Sequence, residues 1–141
     1  EINKNLYDFF NSVTYISDKP TSIKYLTITE NIKIWKKFFL SNIDDEQIAN
    51  ILSTLKLFEL SNLKAGSLSL GEIKKLEMLR LVIENKKVWI LDEPLSNLDS
   101  SSLDIMRQTF DDHCNNDGSI IFTSHEKNII NINEEIILKD V

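Results

Sequence analysis

Apolar positions along this chain follow two spacings, and the switches between them divide it into elements. Residues 88–91 (Val-Trp-Ile-Leu) form a short continuous run, apolar on both faces, as suits a buried strand of a parallel sheet. Residues 12–17, 120–123 and a last segment at 136–138 read as further short strands. Elsewhere the period is helical. Thr27-Ile28-Thr29-Glu30 is a capping-box pattern, and it opens a helix predicted over 28–40 with an inward stripe of Ile32, Trp35, Phe38 and Phe39. A second helix is predicted over 44–58, with Ile48, Ile51, Leu52 and Leu55 on one face. Asp44, Asp45 and Glu46 fall in its first turn, where the helix dipole favours acids. A third, over 70–83, buries Ile73, Leu76, Leu79 and Ile83 and turns Lys74, Lys75 and Glu77 to solvent. A fourth, over 101–114, points Leu103, Met106 and Phe110 inward and leaves His113 at the surface. Asp18, Lys19, Pro20 and Thr21 read as a loop, because Pro and Asp break regular pairing.

The resulting order is one strand, three helices, then strand, helix, strand, strand. It predicts an α/β fold in which a parallel sheet is flanked by helices. Three successive helices with no strand between them predict a helical subdomain inserted at about 20–80. Segments 1–19 and 81–141 then form the core that carries the sheet.

Composition narrows the class without naming a chemistry. The length of 141 residues fits one domain able to bury a core. Hydrophobic content of 42% and charged content of 27% are those of a globular protein, and no apolar stretch approaches the roughly 20 residues of a membrane helix. A net charge of −6 argues against a nucleic-acid-binding surface, so no nucleic-acid partner is expected. The single cysteine, Cys114, has no internal disulfide partner, which suits a reducing compartment.

The chemistry begins where the run 88–91 ends in Asp92 and Glu93 and is stopped by Pro94. Acids at the C-terminal end of a parallel strand sit where open α/β sheets bind ligands. The first could hold Mg²⁺ through its water shell and the second could orient or deprotonate an attacking water. By itself such a pair fits an acidic turn equally well. It stands, however, among three other segments. Leu68-Ser69-Leu70-Gly71-Glu72 opens the third predicted helix, Ser96-Asn97-Leu98-Asp99 follows the acids, and a short strand ends at His125.

In this order the segments resemble the ATP-binding-cassette (ABC) ATPase family: signature motif at 68–72, Walker B strand with its catalytic glutamate at 88–93, D-loop at 96–99 and switch histidine at His125. The resemblance implies a P-loop NTPase-like (RecA-like) fold, ATP and Mg²⁺ as ligands, and ATP hydrolysis. It implies Glu93 as general base, with His125 hydrogen-bonding the γ-phosphate and Asp92 as the Mg²⁺ acid, acting through water. It further implies that Ser69, Leu70, Gly71 and Glu72 act in trans, on ATP held by a second ATP-binding subunit in a head-to-tail dimer. Asp99 would report across that interface. Three of these have a plainer local role: Ser69 and Asp99 as helix N-caps, His125 as a cap of whatever follows.

Departures are specific. Leu70 replaces the second signature glycine, Glu72 replaces the usual glutamine, and Lys19 stands in the loop where the family carries a glutamine that contacts magnesium and the membrane partner. A lysine cannot ligate Mg²⁺, but it can contact phosphate as a point charge. No Gly-x-x-x-x-Gly-Lys-Ser/Thr occurs, and the only glycines are Gly66, Gly71 and Gly118, too few for a glycine-rich phosphate cradle. The family places that Walker A loop before the first motif found here. The expectation is therefore the C-terminal part of a cassette domain, inactive alone.

Within the family, Trp89 in the Walker B strand, the stretch 15–18 and the stretch 26–32 are similar to the ATP-binding subunit of the haem exporter of cytochrome c maturation. That implies a polytopic membrane subunit as partner and a peripheral place on the cytoplasmic face of the inner membrane. Two other readings stand beside it. A soluble cassette acting on DNA or ribosomes would need a coiled-coil insertion or basic arm, and neither is seen. A non-hydrolysing module is suggested by the altered signature and opposed by Glu93 and His125.

Overall fold

Val13–Ile16 (β1), Val88–Leu91 (β2) and Ser119–Phe122 (β3) pair in parallel in the order β1-β2-β3. The computed structural model in which they are seen describes residues 6–125 and Ile136. The predicted strand at 136–138 otherwise lies outside the described residues. Ile16, Leu91 and Phe122 are in register, so the chain leaves all three strands at one edge of the sheet. Parallel pairing thus gathers the loops after the three strands, where the sequence had placed most of its candidate residues.

Among the described residues five α-helices accompany the sheet: α1 (Leu6–Ser12), α2 (Ile28–Phe38), α3 (Asp45–Thr54), α4 (Leu70–Glu84) and α5 (Ser100–Asn115). The cap residues expected from sequence are in place. Thr27, Asp44 and Ser69 each close a capping box, and the Asp99 carboxylate accepts from the Ser102 N–H at 2.8 Å. α1 was not expected. Its Leu6 and Phe10 stay exposed, so no inward stripe marks it in the sequence.

α3 ends four residues earlier than predicted. Lys56 takes a left-handed backbone, its N–H donates to Ser53 O at 3.0 Å, and the Leu57 N–H donates to Leu52 O at 2.8 Å. This is a Schellman stop, and it swings Leu57 into full burial. A 3-10 turn at Phe58–Leu60 follows. Phe38, expected inside, is largely exposed and packs edge-on against Phe39.

Two apolar clusters hold the described residues together. One joins Ile28, Ile32 and Trp35 of α2, Ile48 and Leu52 of α3, and Leu76, Leu79 and Ile83 of α4. The other joins the sheet (Ile16, Trp89, Leu91) to Met106 and Phe110 of α5 and to Met78 and Leu81 of α4. α4 therefore contributes a different side to each cluster. Its third side corrects the expectation that Glu77 is solvated. Glu77, Arg80 and Glu84 are buried in a row facing β1 and the loop after it. Arg80 ion-pairs with Glu84 at 2.9 Å and Glu77 at 3.6 Å and donates to Tyr15 O at 2.7 Å. Glu77 accepts from the N–H groups of Thr21 and Ser22, each at 2.9 Å, and from the Thr21 hydroxyl at 2.7 Å.

His113 is also less exposed than expected. Its ring stacks on Trp89 with centroids 3.6 Å apart, and Nε2 lies 3.1 Å from Lys87 O. Burial holds its pKa below the usual histidine value.

Candidate functional site

One rung of the ladder continues past the strands. The Asp92 N–H donates to Ile16 O at 2.8 Å and the Thr123 N–H to Leu91 O at 3.0 Å. Thr123 is thereby set beside the acids. Its hydroxyl donates to Asp92 Oδ1 at 2.6 Å and accepts from the Glu93 N–H at 3.0 Å. Glu93 has a left-handed backbone, φ 48°, which is uncommon for any residue but glycine, asparagine or aspartate. Its carbonyl accepts from Lys74 Nζ and from the Ser96 hydroxyl, and Lys74 also donates to Ser96 Oγ at 2.6 Å. The Glu93 carboxylate is mostly buried, and Oε1 lies 3.6 Å from Nε2 of the exposed His125 imidazole.

A small cleft opens between the loop after β1, the start of α4 and this turn. Ser17, Asp18, Pro20, Lys74, Asp92 and Pro94 line it. Desolvation lowers the Lys74 pKa, against the pull of Glu93, Asp92 and Asp18, which favour the ammonium. Lys19 sits in the same loop with an exposed side chain. Its N–H donates to Ser17 Oγ at 3.2 Å, and the Ser17 hydroxyl donates to its carbonyl at 3.0 Å. The grip of Glu77 on Thr21 and Ser22 fixes the far end of that loop to α4.

The segment 68–72 builds the N-terminus of α4. Ser69 caps it, and its hydroxyl donates to Glu72 Oε2 at 2.8 Å while its N–H donates to the same oxygen at 2.7 Å. These bonds hold the Glu72 carboxyl below its usual range, so it stays anionic at the helix end. Leu70 is exposed. Gly71 is tightly placed: a Cβ there would fall 2.9 Å from Asn97 O, in the loop that follows Glu93. Glycine thus lets the start of α4 lie against the Asn97 carbonyl of its own chain. Asp99 caps α5, and hydrogen bonds from Ser102 hold its carboxyl down at about 2.

The structure thus brings Asp92, Glu93 and His125 together at the sheet edge. It leaves Ser69, Leu70, Gly71 and Glu72 at the start of α4, joined to the acids through Lys74 and through the contact of Gly71. Among the described residues no cluster of three or more His, Cys, Asp or Glu is set to hold a metal ion, and no helix is long and apolar enough to cross a membrane.

Sequence reasoning missed Lys74, Thr123 and the row Glu77, Arg80 and Glu84. Faint signals existed. Lys74 is three residues from Gly71 and shares its face of the helix, and the row has the three- and four-residue spacing of an ion-paired helix face.

This parallel sheet with acids at its carboxyl edge is a P-loop NTPase fold. A solved structure described as an ATP binding subunit of an ABC transporter matches it with a TM-score of 0.75, at 15% identity, over 89% of this chain and 53% of that one. The family model for "ABC transporter" matches residues 2–96, and the chain belongs to that family. Among curated relatives, the cytochrome c biogenesis ATP-binding export protein CcmA of Reclinomonas americana is 35% identical, over 90% of this chain and 58% of that protein. The protein of the same description from Histophilus somni is 32% identical over the same shares. The chain therefore spans somewhat over half the length of these relatives.

Proposed function

We propose that this chain is part of an ATP-binding subunit that hydrolyses ATP to drive a membrane exporter, and that the exporter serves haem export in cytochrome c biogenesis. The observation that carries the reading is the Glu93 carboxylate, set at the carboxyl edge of the sheet beside Asp92 and 3.6 Å from His125. The likeness to the two export proteins supports the narrower assignment.

In this reading Glu93 takes a proton from the water that attacks the γ-phosphate, and His125 donates a hydrogen bond to that phosphate. The donor set suits Mg²⁺, which takes one or two carboxylates plus phosphate oxygens and waters rather than a protein cage. Asp92 would hold it through a water of its shell, its carboxylate already oriented through Oδ1 by Thr123. Bound Mg²⁺ would supply charge neutralisation at the phosphates. Lys19 offers a further cation from the loop after β1. Ser69, Leu70, Gly71 and Glu72 face the nucleotide of a second subunit, and Asp99 stands at that interface. The helical part, about 20–80, docks a polytopic membrane subunit, which keeps the protein peripheral on the cytoplasmic face. The working subunit includes a phosphate-binding loop that residues 1–141 lack. An ATPase assay on that complete subunit tests the reading: binding of ATP without phosphate release would instead identify a non-hydrolysing module.

Two expectations follow from the division of the site. Residues 1–141 alone should not bind Mg-ATP tighter than roughly 10 μM, about −7 kcal/mol, because most contacts to the β- and γ-phosphates come from the missing loop. Titration calorimetry decides this, and tighter binding would show that these residues hold the phosphates unaided. In the complete subunit, Ser69→Arg should block ATP-dependent dimer closure and leave ATP binding by the monomer intact. Equal loss of both would place the start of α4 in its own subunit's site.

A further inference from the structure

We propose that Lys74 is a positioning residue for ATP hydrolysis: it holds the Glu93 peptide in its left-handed conformation and so aims the catalytic carboxylate. This rests on the reading of Glu93 as general base. The backbone of residue 93 is where holding is needed. A left-handed φ of 48° is unfavourable for glutamate, and Pro94 next in the chain pushes residue 93 toward an extended conformation. Strained conformations persist only where the surroundings over-determine them, and they gather at functional sites. Here both sides of the residue are gripped. The N–H donates to Thr123 Oγ1 at 3.0 Å, from the end of β3. The carbonyl accepts from Lys74 Nζ, reaching across from α4, and from the Ser96 hydroxyl at 3.1 Å. Lys74 also bonds Ser96 Oγ, so one ammonium closes the turn from Glu93 to Ser96. Without that ammonium, residue 93 relaxes toward the extended region and its carboxylate swings from its place beside His125.

The same contact gives α4 a second task. The helix that begins at Ser69 and Gly71 is tied by Lys74 to the carboxylate of its own subunit. A shift of α4 is thus transmitted to the aim of Glu93.

The test uses the complete subunit, with kcat and KM for ATP and thermal melting measured for four variants. Lys74→Met keeps the reach and removes the donors. It should lower kcat about 10- to 100-fold, the scale of a misplacement near 1 Å, with KM and melting temperature unchanged. Lys74→Arg should restore part of that loss. Placed in a Glu93→Gln background, Lys74→Met should lower the residual rate no further, because a residue that acts through Glu93 has nothing left to position. Wild-type kcat in Lys74→Met overturns the proposal, and so does an undiminished loss in the Glu93→Gln background. If Glu93→Gln itself turns over normally, the general-base reading fails instead, which is a separate result. Should Lys74→Met not fold, Ser96→Ala removes the hydroxyl shared by Lys74 and Glu93, and the same kcat and KM criteria apply to it.

Discussion

Glu93→Gln in the complete subunit is expected to cut ATP turnover by about 10²–10⁴-fold while ATP still binds. The amide keeps the volume and shape of the side chain, so the turn held by Thr123 and Lys74 and the neighbouring His125 should persist. What is lost is the ability to take a proton from water, a barrier increase of about 3–5 kcal/mol. With hydrolysis stalled, ATP should hold two subunits together, and size-exclusion chromatography would show a dimer that wild type forms only transiently. Near-normal phosphate release would remove Glu93 from the chemistry and leave the Asp92–Glu93 pair as an acidic turn. A large fall in ATP affinity would make Glu93 a binding group instead.

How far the sequence carried depends on whether a residue's role is local or across the fold. The cap residues Thr27, Asp44, Ser69 and Asp99 are legible because capping acts within one helical turn. The strands 88–91 and 120–123 are legible from their apolar runs, and with parallel pairing they place Asp92 and Glu93 at one edge of the sheet with the residues after β3. The end of α3 was not legible. No glycine or proline marks it, and the helix stops at a left-handed lysine because burying Leu57 outweighs one more turn. Lys74 and Glu77 were assigned to solvent by helical periodicity alone. A helix packed between two apolar clusters has little solvated face, and their partners at Glu93, Ser96, Thr21 and Ser22 are distant in sequence. Thr123 was invisible for a related reason: its role appears only once β2 and β3 are in register.

Arg80→Met is expected to destabilise the complete subunit by about 3–5 kcal/mol near neutral pH, the cost of breaking a buried ion pair from one side. The Arg80 side chain is 7% exposed, with Glu77 at 5% and Glu84 at 6%. Methionine fills most of the arginine's length, so the cavity is small and the loss is electrostatic. The two acids are left unequally provided for. Glu77 keeps two N–H groups and the Thr21 hydroxyl, whereas Glu84 keeps the Thr14 hydroxyl at 2.6 Å. The deficit should therefore depend on pH through Glu84. Burial already raises its pKa above the ordinary 4.5, against the pull of Thr14 and Arg80. A raised group contributes stability that is full below the unfolded value and lost as pH climbs through the folded one. Removing Arg80 raises the folded value further, so the variant loses more on the way to neutrality and its deficit narrows on acidification toward 4.5. Urea unfolding at about pH 5 and pH 7 reads this directly. The paired change Arg80→Met with Glu84→Gln should recover part of the loss at pH 7, because it removes the stranded charge. A deficit equal at both pH values and unrelieved by Glu84→Gln would mean that Arg80 acts by packing and by the hydrogen bonds it donates to Tyr15 O and to the Thr21 hydroxyl. The charged row on α4 would then contribute nothing through its charge.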